Sequence, residues 1–138
     1  MLTQSSMALA GFITWALLLL AWMEILRSGL VLGGKVPANG FVPDNANLSA
    51  FMQRLARAHA NCIEGLPIFG GLLILAIATG RSALTDPLAY WLLAARIAQS
   101  SIHLVSISPT AVTARFSAFT VQMVIGLYWA ARLLFAGL

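Results

Sequence analysis

Four long apolar runs, separated by short stretches rich in glycine, proline and polar residues, set the plan of this chain. The runs cover residues 7–32, 48–79, 87–107 and 111–135. Each approaches or exceeds the roughly 20 apolar residues that an α-helix needs to cross the hydrocarbon core of a bilayer. Backbone chemistry marks the breaks. Gly33, Gly34 and Pro37 end the first run, and Pro43-Asp44-Asn45-Ala46-Asn47 makes a turn-prone connection. Asp86-Pro87 reads as an N-cap followed by proline at the first helical position. Ser108-Pro109-Thr110 leaves so short a link that the third and fourth runs must be antiparallel neighbours. The expected fold is an all-α integral membrane protein: a four-transmembrane-helix bundle, up-down-up-down, in a single domain of residues 1–138.

Polar residues interrupt these runs at helical spacing. In the second, Arg54, Arg57, Asn61 and Glu64 fall at i, i+3, i+7 and i+10, on one side of a helix. Pro67 follows them; it cannot donate to the Ile63 carbonyl and should bend the helix there. The third run repeats the pattern with Arg96, Gln99 and His103, and Ser100 and Ser106 lie near the same stripe. Its apolar side chains contribute about −2 to −4 kcal/mol to insertion, whereas one central arginine costs about +2.5 to +3.5. That stripe must therefore face protein or water. The fourth run carries Arg115, Phe119 and Gln122 at i, i+4 and i+7. Arg115 lies near a membrane surface and also suits snorkelling to headgroups. In the first run Glu24 and Arg27, at i and i+3, can neutralise one another.

Composition agrees with the membrane reading. With 60% hydrophobic and 9% charged residues, the chain has too little charge to cover a soluble globule. Arg27, Lys35, Arg54, Arg57 and Arg115 belong to the side of the first and third connections, Arg81 and Arg132 to the other. Five against two places the first connection in the cytoplasm and both termini outside. The net charge of +4 then serves topology and attraction to anionic lipid headgroups. No soluble basic domain is present to bind nucleic acid. The first residues lack Lys and Arg and the first apolar run is too long for a secretory signal. Cys62 is the one cysteine, which excludes an intrachain disulfide and reads as a packing residue.

The polar stripes lie at one depth, toward the cytoplasmic side, and hold more cation than anion. Arg54, Arg57, Arg96 and Arg115 face Glu64, with Glu24 engaged by Arg27. An unpaired buried ion costs several kcal/mol, so the excess implies a missing anion. Guanidinium forks suit carboxylates, and Glu64 suits an ammonium group. A small zwitterion with more than one carboxylate fits. His59 reads as a hydrogen bonder near a helix end, and His103 as either a ligand contact or an interhelical hydrogen bonder. Neither has a second His or a Cys at ligand spacing, so no metal site is expected. There is no phosphate loop, dinucleotide fingerprint or Ser-His-Asp arrangement. Trp15, Trp22, Trp91 and Trp129 suit interfacial anchoring or packing.

Arg57-Ala58-His59-Ala60-Asn61-Cys62-Ile63-Glu64-Gly65-Leu66-Pro67, with the arginine of the third run and Arg115 opening the fourth, resembles the MAPEG family. These are membrane-associated proteins of eicosanoid and glutathione metabolism; the resemblance covers essentially the whole chain and suits a bacterial inner-membrane member. It implies a left-handed four-helix bundle assembling as a homotrimer, with glutathione as co-substrate between subunits near the cytoplasmic face. Arg57, Asn61 and Glu64 would hold its glutamyl end and carboxylates, and Arg54 and Arg27 would also bind it. Arg96, Gln99 and His103 would come from an adjacent subunit. Arg115 would face the sulfur as the catalytic residue and favour thiolate over thiol. The activity would be that of a glutathione-dependent transferase or peroxidase, its partner a lipophilic electrophile arriving through the bilayer. Gln99 and His103 depart from the tyrosines of some relatives, Arg27 aligns about one turn from the first-helix arginine, and the connection at residues 33–47 is longer than in the eicosanoid enzymes.

Two other functions compete. A four-span proton-coupled multidrug exporter could use Glu24, but the lopsided Lys/Arg distribution and the arginine stripes oppose cationic cargo. A glutathione- or lipid-binding membrane protein without turnover would carry the same residues.

Overall fold

The computed structural model describes residues 1–135; residues 136–138, part of the domain expected from the sequence, lie outside the described residues. The four runs form four helices: α1 (Gln4–Leu32), α2 (Ala50–Ala78), α3 (Ser82–Val105) and α4 (Pro109–Phe135). Small polar side chains open three of them. Thr3 Oγ1 accepts from the Ser6 amide at 3.1 Å, Ser49 Oγ from Met52 at 3.3 Å, and Ser108 Oγ from Ala111 at 3.2 Å. Gly34 and Gly80 adopt left-handed φ of 69° and 68° beyond the ends of α1 and α2. The turn at Gly80 brings the Arg81 amide to the Ala76 carbonyl at 2.7 Å.

Pro67 does not break α2. The helix widens into a π turn over Leu66–Gly70 and resumes at Gly71. A proline already lacks one donor of the i→i−4 ladder, so a local change of register adds little further loss there.

Helices α1, α2 and α4 are long and apolar enough to cross a membrane on their own composition. Helix α3 is the exception, and it packs against all three others. A helix bearing Arg96, Gln99 and His103 is tolerated within a membrane when protein covers them. Its buried stripe is Thr85, Ala89, Leu92, Arg96, Gln99 and His103, in alternating steps of four and three. That period is the one that suits left-handed packing of helices. Helix α1 meets it with Ser5, Ala8, Phe12, Ala16 and Leu19, whose small members permit close approach. At Gly11 a Cβ would lie 2.7 Å from Leu93 Cδ2. Helix α4 packs along α3 and meets α2 at the π turn and beyond it.

The start of α3 corrects the sequence reading. The helix begins at Ser82, so Asp86 is not its N-cap and Pro87 lies in its second turn. Asp86 instead caps α1. Its Oδ1 accepts from the Ser5 amide at 2.8 Å and from Ser5 Oγ at 2.6 Å, and Ser5 Oγ lies 2.6 Å from Thr85 Oγ1. The Ser5 amide is one of the donors left over at a helix start, and a carboxylate there also meets the positive end of the helix dipole. Asp86→Ala should therefore destabilise the protein by about 1–2 kcal/mol, with Asp86→Asn losing less. Thermal unfolding in detergent measures both; an Asn variant as stable as the wild type would contradict a role for the charge, and no loss in either variant would contradict the cap.

Candidate functional site

The polar stripes of α2, α3 and α4 converge on Asn61. Arg96 is 1% exposed, and its guanidinium lies over the Phe12 ring at 5.4 Å from the centroid. Its Nη1 donates to Asn61 Oδ1 at 2.8 Å and, more weakly, to the Asn61 carbonyl at 3.4 Å. Gly65 makes this passage possible: a Cβ there would stand 2.5 Å from Arg96 Nη2. Gln99 Nε2 donates to the same Asn61 Oδ1 at 3.0 Å. Gln99 Oε1 in turn accepts from Gln122 Nε2 at 2.8 Å. Gln122 is fully buried and also donates to the Ala118 carbonyl of its own helix at 3.1 Å.

Beside this cluster, Asn61, Gln99, Val112, Arg115, Phe116 and Phe119 line a cleft of about 250 Å³. It lies near the end of α3 and the start of α4, on the side of the first and third connections. Arg115 is half-buried, and its Nε is buried without a hydrogen-bond partner. Arg96 Nε is also unpartnered. Among the described residues the only ion pair is Arg27 with Glu24, at 3.3 Å, so neither Arg96 nor Arg115 meets a carboxylate. The cleft thus has two guanidinium groups, one lining it and one behind Asn61, with no protein anion to balance them.

A second space adjoins the first. Between the far half of α2 and α4 lies an apolar groove of about 440 Å³, lined by Pro67, Phe69, Leu72, Phe119 and Met123 among others. Phe119 is a wall of both. The π turn presents Pro67 and Phe69 to this groove, and Gly126 on α4 accommodates Phe69. A Cβ at that glycine would stand 2.9 Å from Phe69 Cε1.

The remaining residues named from the sequence divide into two groups. Arg54 is partly buried; its Nε donates to the Leu104 carbonyl at 2.9 Å and its guanidinium lies 5.9 Å from the Phe51 ring centroid. His103 is buried on the α3 stripe. Arg57 and Glu64, by contrast, are exposed. The four polar positions of α2 spread over about 80° of the helix, and α3 covers only one edge of that arc. Arg96 and Gln99, expected opposite a neighbouring subunit, meet Asn61 of their own chain.

Arg27 is not brought to the cleft. It holds the first connection: Nη2 and Nε donate to Asn45 Oδ1 at 2.6 and 3.1 Å, and Nη2 also to the Val42 carbonyl at 3.2 Å. Phe41 lies under the guanidinium at 5.3 Å. Asn45, buried at a positive φ of 56°, passes the tie on by donating to the Met52 carbonyl at 2.8 Å. The sequence marked Asn45 only as part of a turn; its tolerance of left-handed backbone was the one signal of its role. Gln122 likewise stood on the α4 stripe without an assigned role.

A family model, that of the MAPEG family, matches residues 7–135 of the 138-residue chain. No curated protein and no solved structure matches it.

Proposed function

The chain belongs to the MAPEG family, and on that premise we propose that it is a membrane-embedded, glutathione-dependent transferase acting on a lipophilic electrophile. The observation that carries the reading is the cleft in which Arg115 and Asn61 converge with no protein carboxylate. Buried cations without counter-ions are costly, and an anionic tripeptide relieves that cost. Arg115 would stand beside the sulfur. A fixed cation there favours thiolate over thiol, and the thiolate is the nucleophile. It attacks the electrophilic carbon, forming the S–C bond as the leaving group departs or a strained ring opens.

The adjoining groove supports the second half of the reaction. It is almost wholly apolar and shares Phe119 with the cleft, so a lipophilic substrate held there would place its reactive end near the sulfur. The family premise adds a homotrimer, in which the exposed Arg57 and Glu64 would reach glutathione from one subunit face; Arg54 and His103 would border it. The Lys/Arg distribution supports a cytoplasmic first connection and termini on the other side.

An exporter reading finds less support, because Glu24 pairs with Arg27 and is 53% exposed, unlike a lone carboxylate held within the membrane. Calorimetry with glutathione on the detergent-solubilised protein tests the proposal. Binding is expected, weakened about tenfold or more in Arg57→Ala through loss of a charge-assisted contact. Conjugation of chlorodinitrobenzene should follow. Absence of glutathione binding would overturn the reading; binding without turnover on any electrophile would leave a binding protein.

A further inference from the structure

The three amides that link α2, α3 and α4 can be oriented in only one self-consistent way. Gln122 Nε2 has two acceptors, Gln99 Oε1 and the Ala118 carbonyl, and the second of these is fixed backbone. Turning the Gln122 amide would set its oxygen against both. With Gln99 Oε1 so engaged, Gln99 Nε2 must face Asn61. At the other end Arg96 can donate but never accept, so it too requires the Asn61 oxygen. The two ends agree. Asn61 Oδ1 is held by two donors, and Asn61 Nδ2, which makes no hydrogen bond among the described residues, is left for the cleft that Asn61 lines with Arg115.

From this we infer that Gln122 is a positioning residue: through Gln99 it locks the Asn61 amide so that an N–H of Asn61, together with Arg115, donates to the anionic group of the ligand in the cleft. Gln122 lies behind Gln99, fully buried, and does not line the cleft. Its effect on binding is therefore indirect and must pass through Asn61. The chemistry recognised is an anion, a carboxylate or a thiolate, because the cleft offers it donors from both sides. The identification of that anion with glutathione rests on the function proposed above; the amide relay does not.

Substitutions that separate orientation from packing provide the test. Gln122→Met keeps the side-chain volume but removes the relay. It should weaken glutathione binding about five- to tenfold by calorimetry, the value of one well-placed hydrogen bond. In an Asn61→Ala background the same substitution should cause no further loss. Gln99→Glu gives the opposite stability outcome. The introduced carboxylate still accepts from Gln122 and gains the Arg96 guanidinium, so thermal stability without ligand should hold or rise. It cannot donate, however, so Asn61 turns its N–H inward, and glutathione affinity should fall at least about tenfold.

Wild-type affinity in Gln99→Glu, or effects of Gln122→Met that simply add to those of Asn61→Ala, would overturn the inference. Should the wild-type protein not bind glutathione, the proposed function fails, and the relay is judged on ligand-free unfolding instead. Gln99→Leu and Gln122→Leu should then be less damaging together than the sum of each alone, since the double variant leaves no orphaned amide between the two helices. Additive losses would overturn it.

Discussion

Replacing Arg115 by alanine should lower kcat/KM for conjugation of chlorodinitrobenzene by about 8- to 25-fold at pH 7, the fall in thiolate fraction when the adjacent cation is lost. The loss should shrink as the pH is raised. A free thiol titrates near pH 8.5, and an adjacent cation shifts that titration downward by about one to two units. Below the free value, only the cation-stabilised thiol is largely ionised, so the wild type leads; above it, both proteins hold thiolate and the gap closes. Arg115→Lys should retain part of the activity, because it keeps the charge but not the fork. Since Arg115 Nε has no partner within the chain, the alanine variant leaves no acceptor orphaned and should fold. A variant with unchanged turnover, or one impaired equally at pH 7 and pH 9, would refute the assigned role. Equal impairment would point to positioning of the tripeptide rather than ionisation of its sulfur.

The parts of this fold that depend on local chemistry were legible in the sequence, and those that depend on helix rotation were not. Apolar runs and glycine-proline breaks suffice for four helices, because a bilayer admits few alternatives to a spanning helix. The covered position of α3 followed from an energy argument about Arg96, Gln99 and His103. Asp86 shows the opposite case. Asp-Pro has the form of a helix start, yet its carboxylate serves the Ser5 amide, a partner 81 residues away in sequence. Spacing can show that Arg54, Arg57, Asn61 and Glu64 share an arc of α2. It cannot show which edge of that arc α3 will cover, so Asn61 turns inward while Arg57 and Glu64 remain exposed. The Gln99–Gln122 link needs the relative rotation of α3 and α4, and the Arg27–Asn45 tie needs the path of the first connection. The cation excess, a property of composition, survived these details. The ion-pair pattern leaves Arg96 and Arg115 without carboxylates.

Arg96→Met should separate stability from ligand binding more sharply than any other single change. Arg96 is almost fully buried, with a ring face and one asparagine for company and no carboxylate. Isolated buried charge costs several kcal/mol, and apolar replacements of similar shape are often neutral or stabilising. Methionine fills much of the same volume, and Asn61 Oδ1 keeps the Gln99 donor, so no acceptor is orphaned. Unfolding of the ligand-free protein should therefore occur at the same temperature or a few degrees higher. Binding should suffer. The guanidinium sits directly behind Asn61, so its charge lies roughly 6 Å from an anion in the cleft, worth about 3 kcal/mol at an effective dielectric of about 20. That corresponds to about a hundredfold in affinity. At a glutathione concentration of about 100 Kd the wild type should gain about 2.7 kcal/mol of stability, and the variant, at the same concentration, only about 0.4. A thermal shift measured with and without glutathione reads both effects in one experiment. If Arg96→Met instead unfolded many degrees lower while keeping the full ligand-dependent shift, Arg96 would be a packing element of the bundle and the unbalanced charge would have no role in binding.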